Sequence, residues 1–389
     1  MTIRLILKGL NFDKMTVYLD NAATTKPSQS AIDALLGCVT ENYGNASSLH
    51  KLGIEAEKSV TLARKSISEI LGVPYECVYF TSGATESNNM AVCGAADALK
   101  RRGKKIVSTA IEHPSVENSL KSLEAKGFEV VRIAPRGGEI KASDIVSAVD
   151  KDTILVSVML VNNENGSIQP VSDAFTAIKR LYPQTVTHCD AVQAFCKIPL
   201  KANSLNADII SISGHKIHGI KGVGALYIKK GTRINPIIFG GGQEKGMRSG
   251  TESVPLIAAF GAAAREGAES LVSNYRRAVE ISEYAAEKLK AEGNIRFNLP
   301  KSRSPYIMNI SVPGIRSEIM LHFLEEKGIM VSSGSACSKG AKSGVLSLFG
   351  CTPEEVDSAL RISISAYTRK DEIDYFTDAL KEAQRTLCR

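Results

Sequence analysis

The sequence predicts an α/β fold whose main domain is built on a mostly parallel sheet. Strand-like and helix-like segments alternate along the chain, the pattern of successive βα units. Residues 153–161, TILVSVMLV, form a near-continuous apolar run, as expected of a strand covered by helices on both faces. Polar residues gather just after several predicted strands, and open α/β sheets bind ligands at those strand ends. The sequence therefore predicts a ligand site at the carboxyl edge of the sheet.

The predicted strand 77–81 begins the first βα unit whose residues suggest a ligand site. It runs directly into residues 82–85, SGAT, where a helix begins. Free backbone N–H groups and the helix dipole make such a junction an anion site. The alternative is that these residues only cap the helix. Further predicted strands are 105–109, 129–133, 153–161, 185–189, 209–212, 224–228, 309–312 and 360–365, and further predicted helices are 28–42, 49–71, 115–125, 171–181, 256–292 and 317–327.

The character of the chain changes after the predicted sheet strands, at about residue 265. We expect a large domain over residues 16–265 and a small α+β domain formed by residues 1–15 and 266–389. The small domain would carry a Ser/Gly-rich cysteine loop at about 332–345. Thr368 with Asp371 predicts a capping-box start for the last helix. Met15 opens an alternative start, MTVYLDNAATT, so the status of residues 1–14 stays open.

Composition is ordinary for a soluble globular protein and argues against several other classes of protein. The 48 Lys and Arg residues against 41 Asp and Glu give +7, which favours anionic ligands, but no dense basic run with interleaved aromatics indicates nucleic-acid binding. No run approaches the roughly 18 apolar residues of a membrane span, and no cleavable leader is evident, so we expect a cytoplasmic protein. The eight cysteines show neither a CxxC pair nor metal-ligand spacing with histidine, so no metal site is predicted.

A lysine ends one of the predicted strands, in the segment SISGHK that closes with Lys216. A partly desolvated lysine amine can form a Schiff base with an aldehyde cofactor, and pyridoxal phosphate (PLP) needs three further groups. Asp190, after another strand, can face the ring nitrogen, and His113 can stack on the ring. Gln193 can hydrogen-bond the ring hydroxyl. Residues 83–85 offer a phosphate cradle, to which Ser213 and His215 add side-chain donors. A solvated Lys216, a turn Asp190 and a surface His113 are the separate alternatives, which the joint placement at strand ends disfavours.

Several motifs resemble those of the cysteine desulfurases, in the class V branch of the fold-type I PLP-dependent aminotransferase superfamily. The resemblance extends from about residue 17 to 370 and implies a seven-stranded, mostly parallel sheet and a homodimer. The motifs are LDNAATT (19–25), FTSGATESNN (80–89), EHPSV (112–116), VNNENG (161–166), HCDAVQAF (188–195), SISGHKIHGIKGVGALY (211–227), GGGQEKGMRSGTES (240–253), SSGSAC (332–337) and LRISIS (360–365).

The resemblance also implies a role for each candidate residue. Lys216 carries the cofactor, Asp190 pairs with the ring nitrogen, and His113 stacks on the ring and moves protons. Asn163 and Arg361 bind the substrate carboxylate, Arg361 through a bidentate pair. The remaining cofactor-binding residues are Gln193 at the ring hydroxyl, with Gly83, Ala84, Thr85, Ser213, His215 and, from the partner subunit, Thr251 at the phosphate.

Cys337 separates this implied function from that of an aminotransferase. In the mechanism that the resemblance implies, its thiolate takes the sulfur of L-cysteine, leaving a persulfide and alanine, and the persulfide passes to an acceptor protein for iron–sulfur assembly or thiolation. The stretch after it, KGAKSGVL, differs from the family's longer loops, so the acceptor stays open. The alternatives are a selenocysteine lyase, an aminotransferase or β-lyase with an incidental surface Cys337, and a non-catalytic scaffold or PLP-dependent regulator.

Overall fold

The computed structural model describes residues 16–333 and 344–387. Two predictions therefore lie outside the described residues: the placement of residues 1–15 in the small domain, and the position of Cys337 in its loop. No helix in the described ranges combines the length and apolar character needed to cross a membrane.

A seven-stranded sheet organises the larger part of the molecule. Its strands are β2 (Val78–Thr81), β3 (Lys105–Thr109), β4 (Glu129–Ile133), β5 (Thr153–Met159), β6 (Val186–Asp190), β7 (Ile209–Ser213) and β8 (Gly224–Ile228). They lie in the order β2-β8-β7-β6-β5-β3-β4. The strands from β7 to β4 are parallel to one another, whereas β8 runs antiparallel to both its neighbours. The predicted fold class is confirmed.

Helices cover both faces of this sheet, which explains why its central strands are apolar throughout. Every residue of β5 is buried. The helices are α1 (Gln29–Thr40), α2 (Lys51–Leu71), α3 (Ala84–Asn89), α4 (Ala95–Leu99), α5 (Pro114–Glu124), α6 (Ala142–Ser147), α7 (Val171–Leu181), α8 (Ala202–Leu205) and α9 (Val254–Glu269). Helices α1, α2, α7 and α9 share one hydrophobic core, and α4 and α5 share another. A π-helical turn, Met90–Gly94, joins α3 and α4 into one continuous helix.

Most of the remaining elements pack around a separate hydrophobic core. The remaining elements are β1 (Val17–Tyr18), α10 (Leu271–Lys290), β9 (Arg296–Phe297), β10 (Ile307–Ser311), α11 (Ser317–Glu326), β11 (Ile329–Met330), β12 (Ser332–Ser333), α12 (Gly344–Leu348), α13 (Pro353–Asp357), β13 (Ala359–Ser363) and α14 (Lys370–Leu387). Four strands form an antiparallel sheet in the order β12-β13-β10-β9, and β1 pairs with β11 in parallel. Residues of β1, α10 and α14 belong to this core, while α12 and α13 form a small cluster with β13.

The predicted long helix 256–292 is instead two helices separated at Ser270. The φ of −97° and ψ of 4° at Ser270 lie outside the helical range and break the helix. Helix α9 packs on α1 and α2, whereas α10 packs on α14. The two halves of the predicted helix therefore pack in different hydrophobic cores. The domain boundary at about residue 265 stays a prediction.

Candidate active site

A cavity of about 620 Å³ opens at the carboxyl edge of the large sheet. It is lined by most of the residues that the sequence singled out: Gly83, Ala84, Thr85, His113, Asn163, Asp190, Gln193, Ser213, His215, Lys216 and Arg361. A larger cavity, of about 980 Å³ and rich in lysine and arginine, lies at the opposite edge of the sheet. None of the predicted site residues that the structure describes lines that second cavity.

Lys216 reaches the cavity because a tight turn follows β7. The turn, Gly214–Lys216, is a single 3₁₀ turn, and a Cβ on Gly214 would lie 3.1 Å from Val223 and 3.2 Å from Phe260. Glycine therefore permits the turn to pack closely against these side chains. The Lys216 Nζ donates hydrogen bonds to the carbonyl oxygens of Ala22 at 2.5 Å and Ala23 at 2.7 Å. The amine is thus held against the backbone of residues 19–25 at the cavity wall.

The β2–α3 junction provides the expected anion-binding geometry. Gly83 has a φ of 153°, which side chains rarely permit, and an added Cβ there would meet no atom within 4 Å. The backbone at the start of the helix therefore borders open space in the cavity. Facing the same cavity, the buried Ser213 hydroxyl has no hydrogen-bond partner in the described part of the chain. An unpaired buried hydroxyl of this kind indicates a polar ligand.

His215 borders the same end of the cavity as a neutral imidazole. Burial lowers the pKa of His215 to about 4, and the nearby charges of Lys216, Lys221 and Lys197 lower it further. Its Nδ1 lies 3.2 Å from the Thr24 hydroxyl. The imidazole can therefore pair with a ligand through its other nitrogen.

His113 and Asp190 are joined by two residues that the sequence analysis did not identify. The Asn88 Nδ2 donates to Asp190 Oδ2 at 2.7 Å and to the Ser115 hydroxyl at 2.8 Å. That hydroxyl lies 2.8 Å from His113 Nδ1, which also accepts the Ser115 N–H at 3.1 Å. The Val192 N–H donates to the second Asp190 oxygen at 3.0 Å. The motif that contains Asn88 was quoted, but no local signal links it to a residue 102 positions away.

These contacts determine the protonation of His113. Burial lowers its pKa, with Lys216 acting in the same direction and Asp190 opposing it. Because Nδ1 accepts a backbone N–H, the neutral ring carries its proton on Nε2. His113 is therefore suited to exchange a proton through Nε2.

The carboxyl group of Glu112 lies buried beneath this pair. Burial raises its pKa to about 8, despite hydrogen bonds from the Thr109 hydroxyl at 2.5 Å and the Met159 N–H at 3.0 Å. Glu112 is consequently neutral at physiological pH and adds no negative charge beside Asp190. It joins the ends of β3 and β5 and was not predicted.

Arg361 projects from β13 into the cavity and is already paired. One guanidinium nitrogen donates to Asp20 Oδ1 at 2.7 Å and another to the Asn163 carbonyl oxygen at 3.0 Å. The buried Nε has no hydrogen-bond partner in the described part of the chain. The structure thus brings Arg361 and Asn163 together, and it adds Asp20, which the sequence analysis quoted only within a motif.

Thr251 lies away from this cavity in its own subunit. It is exposed and lines a separate cavity of about 110 Å³ with Arg248 and Glu244. The prediction that Thr251 serves the partner subunit stays a prediction. Within the described ranges, no group of three or more His, Cys, Asp or Glu side chains is placed to hold a metal ion.

Comparison with known proteins identifies the family. An aminotransferase class-V family model matches residues 17–376. The NifS/IcsS protein homolog of Lactobacillus delbrueckii subsp. bulgaricus is 40% identical, with 94% of this chain and 96% of the relative covered. A cysteine desulfurase IscS from Methanosarcina thermophila is 35% identical, with 98% of this chain and 95% of the relative covered. The chain belongs to the cysteine desulfurase branch of the class-V aminotransferases.

Solved structures agree with this assignment. A NifS-like protein superposes with a TM-score of 0.91 at 36% identity, covering 96% of this chain and all of that one. A structure titled SspA in complex with cysteine has a TM-score of 0.79 at 30% identity, covering 91% of this chain and all of that one. The resemblance inferred from the sequence motifs is confirmed. Enzymes of this family depend on PLP.

Proposed function

We propose that this protein is a cysteine desulfurase that uses PLP to convert L-cysteine to L-alanine and a persulfide on Cys337. The observation that carries the proposal is the convergence of Lys216, Asp190, His113 and Ser213 on one cavity. These groups come from different segments, and each supplies a chemical requirement of PLP.

The residues of this cavity fit the cofactor on structural grounds. The unpaired Ser213 hydroxyl and the open backbone at Gly83 suit a phosphate group, and Asp190 can face a ring nitrogen. We assign the phosphate to residues 83–85, Ser213 and His215, and the ring to Asp190, His113 and Gln193. When bound through Lys216, PLP supplies an electron sink that acidifies the Cα proton of an amino acid and activates its β-substituent.

The protein's own groups then position the substrate and move protons. Lys216 Nζ takes the Cα proton, and His113 Nε2 exchanges a proton at the face of the ring. Arg361, beside Asn163, orients the substrate carboxylate. The Cys337 thiolate attacks the substrate sulfur, so an S–S bond forms while the substrate Cβ–S bond breaks. The three-carbon fragment gains a proton at Cβ, regains one at Cα from Lys216 and leaves as alanine, so the reaction balances without an added oxidant or reductant.

A homodimer and a sulfur-acceptor protein are parts of the same proposal. Thr251 is exposed and does not line the cavity of its own subunit, which supports a role in a second subunit. Leu49 is 96% exposed and Phe239 is 81% exposed, as apolar side chains at a subunit interface would be in an isolated subunit. The six cysteines within the described ranges are free thiols, so we expect the enzyme to work in the cytoplasm, where thiols stay reduced.

The decisive experiment incubates the PLP-loaded protein with L-cysteine and a reductant, and measures sulfide, alanine and the visible cofactor band. We expect equal amounts of sulfide and alanine. Lys216→Ala should remove the band, and Cys337→Ala should keep the band but abolish sulfide release. Cys351→Ser is the matched thiol control and should change neither.

Each other outcome contradicts a defined part of the proposal. A wild-type protein without a visible band would overturn the cofactor assignment. Pyruvate in place of alanine would indicate a β-lyase. If Cys337→Ala retained selenide release from selenocysteine while losing activity on cysteine, the protein would be a selenocysteine lyase.

A further inference from the structure

A second buried lysine, Lys197, lies behind the cavity wall. It is 8% exposed, and its Nζ lies 6.0 Å from the centre of the Tyr306 ring. The chain after β6 forms tight turns, in which the Lys197 N–H donates to the Ala194 carbonyl oxygen at 3.0 Å. Gln193 and Lys197 are four residues apart on these turns, so their side chains meet. No residue motif in the sequence analysis singled out Lys197.

Lys197 and the Ala22 carbonyl oxygen together orient the Gln193 amide. Its Nζ donates to Gln193 Oε1 at 3.1 Å, and Gln193 Nε2 donates to the Ala22 carbonyl oxygen at 2.9 Å. An ammonium has only donors, so the amide oxygen must face Lys197 and the NH₂ group must face away from it. One Nε2 hydrogen is used by Ala22, which leaves the second for a ligand in the cavity that Gln193 lines.

The same contacts link Lys197 to Lys216. The Ala22 carbonyl oxygen that accepts from Gln193 also accepts from Lys216 Nζ, at 2.5 Å. Both lysines line a small cavity of about 40 Å³. The two amines are therefore connected through one side-chain amide and one backbone carbonyl oxygen.

Lys197 lies near two cations, and the described part of the chain places no counter-charge beside it. Burial lowers its pKa to about 7, and the charges of Lys216 and Arg361 act in the same direction, with the Cys196 thiol opposing them. His215 and His218 lie close enough for Lys197 to lower their pKa values in turn, and Tyr306 is the aromatic neighbour. Within the described part, no carboxylate lies at ion-pair distance from Nζ. A buried cation without a partner reduces stability, so a functional role accounts for it better than a structural one.

We propose that Lys197 is a positioning residue for the cofactor: its amine helps to orient the Gln193 amide toward the ring hydroxyl, and its positive charge repels a positive charge on the neighbouring Lys216 nitrogen. This inference rests on the proposed PLP-dependent function. The first part concerns geometry, and the second concerns charge. Substitutions of Lys197 separate the two.

The test measures cofactor binding and spectra of purified variants, without using turnover. Lys197→Met should bind PLP about tenfold more weakly, since the Gln193 amide loses its orienting partner. The pH midpoint of the visible band should rise by about one unit, because a neighbouring positive charge is lost. Lys197→Gln keeps an N–H donor without the charge, so it should retain most of the affinity but show the same rise in midpoint. Lys201→Met removes an exposed lysine four residues later and should change neither cofactor measurement.

A stability measurement and a double-mutant cycle complete the design. The cofactor-free Lys197→Met protein should unfold at the same urea concentration as the wild type or a higher one, because an unpaired buried amine is removed. In a Gln193→Ala background, Lys197→Met should no longer reduce PLP affinity. Fully additive losses of affinity would overturn the orienting role, and an unchanged midpoint would overturn the charge role. If the wild type failed to bind PLP, the proposed function itself would be refuted, which differs from both results.

Discussion

The contact between Arg361 and Asp20 makes a quantitative prediction about stability. Asp20→Asn keeps the size of the side chain but removes the carboxylate that the guanidinium contacts at 2.7 Å. The Arg361 side chain is 5% exposed and that of Asp20 is 22% exposed. The variant therefore leaves a buried guanidinium held by the Asn163 carbonyl oxygen, with Nε already lacking a partner in the described part of the chain.

Removing one member of a buried ion pair costs about 3–5 kcal/mol. Asp20 is partly open to water, which puts the expected loss in the free energy of unfolding at the lower end, about 3 kcal/mol. Urea unfolding of the cofactor-free protein measures it. L-Alanine, which carries the product's carboxylate, should stabilise Asp20→Asn more than it stabilises the wild type, because that carboxylate can replace the missing one.

The exposed pair between Lys100 and Asp97 provides the matched control. Asp97→Asn removes the same chemical group from a surface ion pair and should change stability little. An Asp20→Asn loss below about 1 kcal/mol would refute the reasoning that burial makes this ion pair important. Equal stabilisation of both proteins by L-alanine would instead refute Arg361 as the carboxylate-binding residue.

Three further predictions follow from the site and the sheet. Burial lowers the pKa of His188 to about 3 and that of His215 to about 4. Below about pH 6.5 these histidines are therefore protonated in the unfolded chain but stay neutral in the folded chain. The free energy of unfolding is therefore unaffected by these histidines above that pH and falls on acidification, by about 1.4 kcal/mol per pH unit for each histidine. In urea unfolding measured as a function of pH, the free energy of unfolding of His188→Gln should fall less steeply than that of the wild type. Asn88→Ala removes the donor shared by Asp190 and Ser115 and should weaken PLP binding about tenfold in an equilibrium titration; unchanged binding would show that the contact is dispensable. Gly214→Ala forces a methyl group against Val223 and Phe260, so the PLP content per subunit of the purified variant should fall, and full occupancy would contradict the close-packing argument.

The sequence could indicate that the site residues lie near one another because parallel strands end at one edge of the sheet. Asp190 and Lys216 each follow the end of a parallel strand, so the topology alone brings them to one edge of the sheet. His113 follows β3 in the same way. The direction of β8 could not be predicted, since a short apolar run has the same pattern in a parallel or an antiparallel pairing.

Details that depend on tertiary contacts were missed or wrong. The predicted capping box at Thr368 is absent: the Thr368 hydroxyl accepts the Ser365 N–H, while Glu372 accepts the Arg369 N–H where α14 begins. Asp20 and Arg361 are 341 residues apart in the sequence, and no local pattern indicates that they pair. Lys197 was overlooked for the same reason, because its importance depends on what surrounds it rather than on its neighbours in the sequence.

The segment 19–25, LDNAATT, shows how a motif can act mainly through its backbone. The Ala22 carbonyl oxygen accepts hydrogen bonds from both Lys216 and Gln193, and the Ala23 carbonyl oxygen accepts a second one from Lys216. The same segment extends from the core that contains β1 and crosses to the cavity of the large sheet. Substitutions of its alanine side chains should therefore matter only if they move the backbone. Asp20 also acts through its side chain, since its carboxylate contacts Arg361 and through that residue the Asn163 loop. We therefore expect a loss at Asp20 to disturb the end of the cavity formed by Arg361 and Asn163.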